Sequence, residues 1–172
     1  TYLPPKLFDH FLTELNNRMD LSDCRQYNVD HDPNSIIGEE GLQRLQIMKD
    51  HGITRLTIGV QSLDDEVLRI MNRPHGHKEA IESVENALKY GFDVNIEFIY
   101  GHPGETLDNW IDVIDRATEL PMNEIQMYRL KVQAYGDFQG AINTYRGGRR
   151  EVDIPDFKST MMMKQMAIDI LN

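Results

Sequence analysis

The feature of this sequence that most constrains its fold is a regular alternation of strand-like and helix-like segments. β-Rich runs such as residues 55–60 (RLTIGV) and 92–100 (FDVNIEFIY) are separated by stretches with apolar residues at helical spacing. The unit repeats at roughly 30–35 residues, which is long enough for a helical crossover between parallel strands. The alternation therefore predicts an α/β fold whose parallel sheet has right-handed crossovers.

The chain length limits how far this pattern can extend. The predicted strands cover residues 26–29, 55–60, 92–100 and 124–132, and the predicted helices cover residues 4–19, 38–49, 64–71, 78–90, 107–120 and 156–171. A closed eight-stranded (β/α) barrel typically needs about 250 residues, whereas the chain has 172. We therefore expect an open α/β domain or about half of a barrel. Because the sequence opens on TYLPP without a methionine, we also expect a piece of a larger protein.

Charge and hydropathy exclude several partners. Asp and Glu number 28 against 18 Lys and Arg, a net charge of -10, which argues against a general nucleic-acid binder. No apolar run approaches the ~20 residues of a membrane span, and no signal peptide opens the chain. Cys24 is the only cysteine and suits a reducing compartment. These features predict a cytoplasmic protein with no nucleic-acid partner and no membrane span.

Polar residues at the predicted strand ends are the candidates for function, because ligands of α/β folds bind past the carboxyl ends of strands. Four places qualify: residues 30–32, 61–62, 97–102 and 128–129. Glu97 lies inside an apolar run, where a carboxylate costs several kcal/mol unless it is paired or hydrogen-bonded. Asp30 ends its own strand in a similar way. Each carboxylate needs either a cation such as Arg55 or Arg129, or a ligand hydroxyl.

A second interpretation starts from the histidines. His31, His75, His77 and His102 fall in loops, and Asp30 and Asp32 could join them as ligands in a metal-dependent barrel hydrolase. Of these histidines, His31 and His102 directly follow predicted strands, while His75 and His77 follow a helix. Two histidines and a carboxylate form a much less specific pattern than an ordered set of motifs.

Such a set of motifs is present. Residues 58–63 (IGVQSL) followed by 70–75 (IMNRPH) resemble the radical S-adenosylmethionine enzymes of the oxygen-independent coproporphyrinogen III oxidase family. The other matching segments fall in the family's order: residues 1–5 (TYLPP), 29–33 (VDHDP), 96–106 (IEFIYGHPGET) and 125–130 (IQMYRL). The resemblance covers about residues 1–132. Asp30 stands where the family usually has Glu, Glu97 where it has Asp, and Gln133 where it more often has Glu.

The resemblance implies a fold and a cofactor site. The fold would be part of a (β/α)6 partial TIM-type barrel, incomplete in this chain. Residues 1–135 would form its middle and later βα units, and residues 136–172 a loop and a helix leading toward a C-terminal domain. Gln61 would contact the ribose of S-adenosylmethionine, Arg73 its methionine carboxylate, and Glu97 its ribose hydroxyls. Asp30 would help to hold the cofactor, and the main chain near Ile99 would flank the adenine.

The resemblance also implies a 4Fe-4S cluster whose ligands lie outside this chain. The family's three-cysteine motif is expected before Thr1, because Cys24 alone cannot supply three thiolates. We therefore expect no metal ligands here, and no activity from these residues alone. The intact protein would cleave S-adenosylmethionine reductively, with electrons from a donor such as flavodoxin or ferredoxin, and act as an oxidoreductase on an organic substrate. That substrate could be a porphyrinogen undergoing oxidative decarboxylation, or the protein could be a heme-binding chaperone or a methyltransferase of the same family.

Overall fold

A four-stranded sheet organises the chain in this computed structural model, which describes residues 3–130 and 155–172. The strands are β1 (Asn28–His31), β2 (Arg55–Gln61), β3 (Asp93–Tyr100) and β4 (Glu124–Arg129), in the spatial order β1-β2-β3-β4. β1 pairs parallel to β2. The Asp93 N–H bonds to Thr54 O beside the start of β2, and the Leu130 N–H bonds to Tyr100 O at the end of β3. The start of β3 thus lies beside the start of β2, and the end of β4 lies beside the end of β3. These strands are therefore parallel, and the predicted parallel sheet is confirmed.

Helices connect these strands. They are α1 (Pro5–Arg18), α2 (Gly38–Asp50), α3 (Asp65–Ile70), α4 (His77–Lys89), α5 (Leu107–Thr118) and α6 (Phe157–Leu171), with a 3-10 helix at Pro33–Ile36. Each helix begins and ends within two residues of its predicted position. Since neighbouring strands in the sheet are consecutive in sequence, the crossovers run in one direction, as in a TIM-type barrel and unlike a doubly wound sheet. No helix of the described residues is long and apolar enough to cross a membrane.

The first strand lies two residues later than the sequence predicts. The prediction ended it at Val29, before the polar Asp30 and His31, but β1 runs to His31, which pairs with Ile58. His31 stays in the strand because its imidazole is buried and bonded on both sides, to Ser35 Oγ at 2.9 Å and to Met48 Sδ at 3.0 Å. The predicted strand end at 132, Gln133 and the predicted loop after residue 136 lie outside the described residues.

The chain divides into two compact units. The first comprises the described residues up to Val60, together with Pro74–Phe98 and Leu120–Gln126. Its core is apolar: alternate residues of β2 and β3 are fully buried, and they share the core with side chains of α1, α2 and α4. These residues are Phe8, Leu12, Leu45, Met48, Leu56, Ile58, Val84, Ala87, Val94 and Ile96.

The second unit comprises Gln61–Arg73, Ile99–Glu119 and the described residues from Met127 onward. Trp110 is its largest fully buried side chain, and its indole N–H donates to Met163 O at 2.8 Å. The Tyr100 ring packs against Trp110 with centroids 5.4 Å apart. α6 therefore packs on α5, burying Met163 and Ala167 and leaving Met161 and Met162 exposed.

Candidate functional site

Gln61 is the last residue of β2 and has an unusual conformation. Its φ is 68°, in the left-handed region that costs a non-glycine residue about 1–2 kcal/mol. The side chain is buried, and its Oε1 has no hydrogen-bond partner among the described residues. Strained residues with unpaired polar atoms concentrate at functional sites. Gln61 therefore has the geometry of a residue prepared to bind a ligand.

Glu97 and Ile99 share one face of β3, and both are half-buried. Their neighbours Ile96 and Phe98 point to the opposite face and are fully buried. The sequence predicted Glu97 to be buried because of these apolar neighbours, but strand alternation places it on the more open face. No hydrogen bond or ion pair joins the Glu97 carboxylate to another described residue.

Arg55, a predicted cation partner of Glu97, forms an ion pair with a different carboxylate. Arg55 Nη2 lies 2.6 Å from Oε2 of Glu124 at the start of β4. The guanidinium of the other candidate, Arg129, lies over the Phe157 ring, 5.6 Å from its centroid. Pairing with Arg55 is therefore wrong as an explanation of the Glu97 carboxylate, and a ligand hydroxyl remains the partner that the sequence argument proposed.

The exposure of the Asp30 side chain differs more clearly from the sequence prediction. Its side chain is exposed, and it accepts a hydrogen bond from Asn28 Nδ2 at 3.0 Å. The prediction that this carboxylate is in a similar position to one inside an apolar strand is wrong, because Asp30 lies on the solvated side of a strand only four residues long. Its predicted role toward a cofactor stays a prediction.

Arg73 follows the short helix α3. Its N–H closes the helix on Leu68 O at 2.9 Å, and the preceding residue, Asn72, is also left-handed with a φ of 55°. The side chain is half-buried, and its guanidinium makes no hydrogen bond or ion pair with a described residue. Gln61, Arg73 and Ile99 belong to the second unit, whereas Asp30 and Glu97 belong to the first.

The turn after β3 carries two ionisable residues, His102 and Glu105, whose contact was not predicted from the sequence. The buried Glu105 carboxylate accepts from the N–H of Gly101 at 2.5 Å and of His102 at 3.2 Å. Burial raises the pKa of Glu105 to about 7, against the lowering effect of these two bonds. Burial, with a smaller contribution from the Arg73 charge, lowers the pKa of His102 to about 4. The signal available in the sequence was a glutamate four residues after the turn glycine, Gly101.

The histidines do not assemble the predicted hydrolase centre. His31 is bonded to Ser35 and Met48, and burial is the main cause that lowers its pKa to about 3. His75 bonds through Nε2 to Val60 O at 3.1 Å. Within the part of the chain that the structure describes, no three His, Cys, Asp or Glu side chains lie together as metal ligands.

Comparison with known proteins decides the family. The model of the radical SAM superfamily matches residues 12–117, more than half of the chain. The chain belongs to the radical SAM superfamily. This radical SAM chain is 31% identical over 113 residues to the heme chaperone HemW of Bacillus subtilis, covering 65% of the chain. It is 27% identical over 129 residues to the oxygen-independent coproporphyrinogen III oxidase of Salmonella typhimurium, covering 74% of the chain.

The structural comparison agrees with the sequence comparison. The coproporphyrinogen III oxidase HemN of Escherichia coli superimposes with a TM-score of 0.79 at 22% identity, over 99% of this chain and 37% of that one. The α/β fold with four parallel strands and the predicted family resemblance are thus confirmed. The radical SAM chain spans 29% of the Bacillus protein and 27% of the Salmonella protein.

The side chains present fit S-adenosylmethionine better than they fit the cluster. Gln61 Oε1 and the Glu97 carboxylate are acceptors without described partners, and ribose hydroxyls are donors. Arg73 carries a forked cation suited to a carboxylate. A 4Fe-4S cluster needs three thiolates in this superfamily, and the chain has only the exposed Cys24. The cluster therefore cannot be held by this chain's own cysteines.

Proposed function

We propose that this chain is the S-adenosylmethionine-holding part of a radical SAM oxidoreductase that acts on a porphyrinogen. The observation that carries the proposal is the unpaired, buried Oε1 of Gln61 at the end of a β-strand, in a chain of this superfamily. The substrate class is supported by the similarity to the Salmonella coproporphyrinogen III oxidase. The whole protein would include the cluster's cysteine ligands and would receive electrons from a donor such as flavodoxin or ferredoxin.

The residues of this chain would bind and orient the cofactor. Gln61 and Glu97 would accept from the ribose hydroxyls, and Arg73 would pair with the methionine carboxylate. Asp30 would contribute a weaker contact from its exposed position, and the main chain at Ile99 would lie beside the adenine. S-adenosylmethionine held by these residues, together with a reduced 4Fe-4S cluster, would supply the radical chemistry that removes hydrogen from the substrate. Holding the cofactor rigidly and excluding water is the contribution of the protein.

The preformed strain at Gln61 is consistent with this role. A left-handed glutamine whose amide oxygen is unpaired costs free energy in the unliganded protein. A hydroxyl donor from the ribose would satisfy that oxygen, so part of the cost would be recovered on binding. The left-handed backbone turns the chain out of the sheet after β2 and directs the following segment into α3 and on to Arg73.

Arg73 provides the sharpest test. A charge-assisted contact with a carboxylate is worth about 1.5–3 kcal/mol. We expect Arg73→Ala in the full-length, cluster-loaded protein to weaken S-adenosylmethionine binding by roughly ten- to a hundred-fold or more, measured anaerobically by equilibrium binding. Arg73→Lys keeps the charge but loses the forked donors. Its affinity for S-adenosylmethionine should therefore lie between those of the parent and of Arg73→Ala.

The matched control is Arg69→Ala. Arg69 is an exposed arginine of α3 that bonds Glu66 Oε2 at 2.7 Å, so its loss removes the same charge four residues from Arg73. We expect that variant to bind within threefold of the parent. An Arg73→Ala protein that also binds within threefold would remove Arg73 from the cofactor site.

The alternative function is a heme-binding chaperone, favoured by the 31% identity to the Bacillus heme chaperone. The two functions differ in product. A porphyrinogen oxidase releases carbon dioxide and converts propionate to vinyl, whereas a chaperone retains heme without consuming a porphyrinogen. Incubating the full-length, cluster-loaded protein with coproporphyrinogen, S-adenosylmethionine, a reductant for the cluster and an acceptor for the substrate's electron tests the oxidase. Stoichiometric heme binding without vinyl product would favour the chaperone.

A further inference from the structure

His75 occupies a place that neither the proposed cofactor contacts nor a metal site explains. Its side chain is fully buried, and Nε2 lies 3.1 Å from the main-chain oxygen of Val60. A carbonyl oxygen can only accept, so Nε2 carries the hydrogen of this bond. Val60 immediately precedes the left-handed Gln61.

Val60 lies beyond the part of β2 that pairs with β1. That pairing ends at His31 opposite Ile58, two residues before Val60. The imidazole gives the Val60 main-chain oxygen a side-chain donor at this point.

The segment that leads to His75 is tied to residues that follow β1. His75 Nδ1 itself has no hydrogen-bond partner among the described residues and lies 3.7 Å from Asp32 Oδ2, and Asp32 caps the 3-10 helix by accepting from the Asn34 N–H at 3.1 Å. The Asn34 side-chain amide donates to Pro74 O at 3.2 Å, next to His75 in the chain. The Asn34 side chain therefore holds the loop that contains His75.

The bond from His75 to Val60 closes a loop of the main chain. Residues 61–74 begin with the last residue of β2, pass through α3 and return directly to His75. Gln61 is the first residue of this loop, and Arg73 is one of the last. One hydrogen bond thus joins the two ends of the segment that carries both side chains.

We propose that His75 is a positioning residue that ties the base of the 61–74 loop and thereby fixes the conformations of Gln61 and Arg73. His75 contacts no substrate or cofactor in this role. It acts through the Val60 carbonyl, which belongs to the peptide that joins Val60 to the left-handed Gln61. The effect on cofactor affinity rests on the proposed function, whereas the effect on the loop itself does not.

The test uses the full-length protein with three substitutions. His75→Leu fills space without a donor, and His75→Gln supplies an amide N–H that reaches a similar position. His31→Leu is the control, because it removes another buried imidazole of the same unit, bonded to Ser35 and Met48 and not to Val60. If His75→Leu does not fold, His75→Asn takes its place, since it is one methylene shorter than Gln.

Hydrogen exchange on the protein without S-adenosylmethionine is the first measurement. We expect His75→Leu to speed exchange of the amides in residues 62–73 by roughly tenfold or more, with little change in β3. His75→Gln should restore the parent rate to within threefold, and His31→Leu should leave residues 62–73 unchanged. Unaltered exchange, exchange that rises equally throughout the chain, or a Gln variant that behaves like Leu would overturn the proposal.

Equilibrium binding of S-adenosylmethionine to the cluster-loaded variants is the second measurement. His75→Leu should bind roughly tenfold more weakly, and His75→Gln within threefold of the parent. A loop that opens in His75→Leu without any loss of affinity would overturn the positioning role. If the parent itself does not bind S-adenosylmethionine, the proposed function fails, and the exchange measurement alone then decides whether His75 ties the loop.

Discussion

Glu105→Gln should stabilise the second unit at neutral and alkaline pH. The Glu105 carboxyl is buried and its pKa is raised to about 7, chiefly by burial, against an ordinary value of 4.5. Between pH 4.5 and about pH 7, the Glu105 carboxyl is ionised in the unfolded chain and protonated in the folded chain. The free energy of unfolding therefore falls as pH rises from about 4.5 to about 7, and the loss is complete above that range.

The size of the effect follows from the same two values. At 1.36 kcal/mol for each pH unit, the difference between 4.5 and about 7 corresponds to about 3 kcal/mol. Glutamine is neutral at every pH, and its Oε1 can accept from the same Gly101 and His102 N–H groups. We therefore expect parent and variant to be similar near pH 4.5, and the variant to be more stable by about 3 kcal/mol at pH 8.

Trp110 gives a local probe for this experiment. It is the only tryptophan of the chain and is fully buried in the same unit as Glu105, so its fluorescence reports the unfolding of that unit. Urea unfolding of parent and variant at pH 5, 6, 7 and 8 gives the difference in free energy at each pH. Glu119→Gln, at an exposed position after α5, corrects for the change in net charge. A parent-to-variant difference that stays constant within about 0.5 kcal/mol from pH 5 to 8 would refute the reasoning.

Three further substitutions test the packing and the buried histidine. Gly41→Ala should destabilise the protein by about 1–3 kcal/mol in urea unfolding, because a Cβ there would lie 2.5 Å from the carbonyl carbon of Ile36; wild-type stability would contradict this contact. Trp110→Phe should cost about 1–3 kcal/mol by circular dichroism, since it leaves Met163 O without its 2.8 Å donor; an unchanged midpoint would count against the bond. His31→Gln should reduce acid sensitivity, because the pKa of His31 is lowered to about 3 and the parent loses stability as pH falls from 6.5 toward 3; parallel pH profiles would contradict it.

The fold was largely predictable from sequence because its strongest signals are local. β2 and β3 are apolar runs that each follow a turn glycine, Gly52 and Gly91, and the amphipathic helices between them have clear helical spacing. β1 was placed two residues too early because the prediction ended the strand before the run Asp30-His31-Asp32-Pro33, whereas His31 is buried and paired. Its stability in the strand depends on Ser35 and Met48, and the contact with Met48 joins residues far apart in sequence.

The candidate site was predictable in its residues and less so in their surroundings. Gln61 follows an obvious strand, but neither its left-handed φ nor its unpaired oxygen can be inferred from residue types. Glu97 was expected to be buried because its neighbours are apolar, while alternation along β3 leaves it half-buried. His75 was grouped with possible metal ligands, yet its partner is a main-chain oxygen, which no side-chain pattern reveals.

An anaerobic crystal structure of the full-length, cluster-loaded protein with S-adenosylmethionine tests the central claim most directly. The account predicts ribose hydroxyls within hydrogen-bond distance, about 2.5–3.2 Å, of Gln61 and Glu97, and the methionine carboxylate at the Arg73 guanidinium. It also predicts that Gln61 keeps its positive φ in the complex. Cofactor density at any other part of the protein, with Gln61 Oε1 still unpaired, would contradict the account.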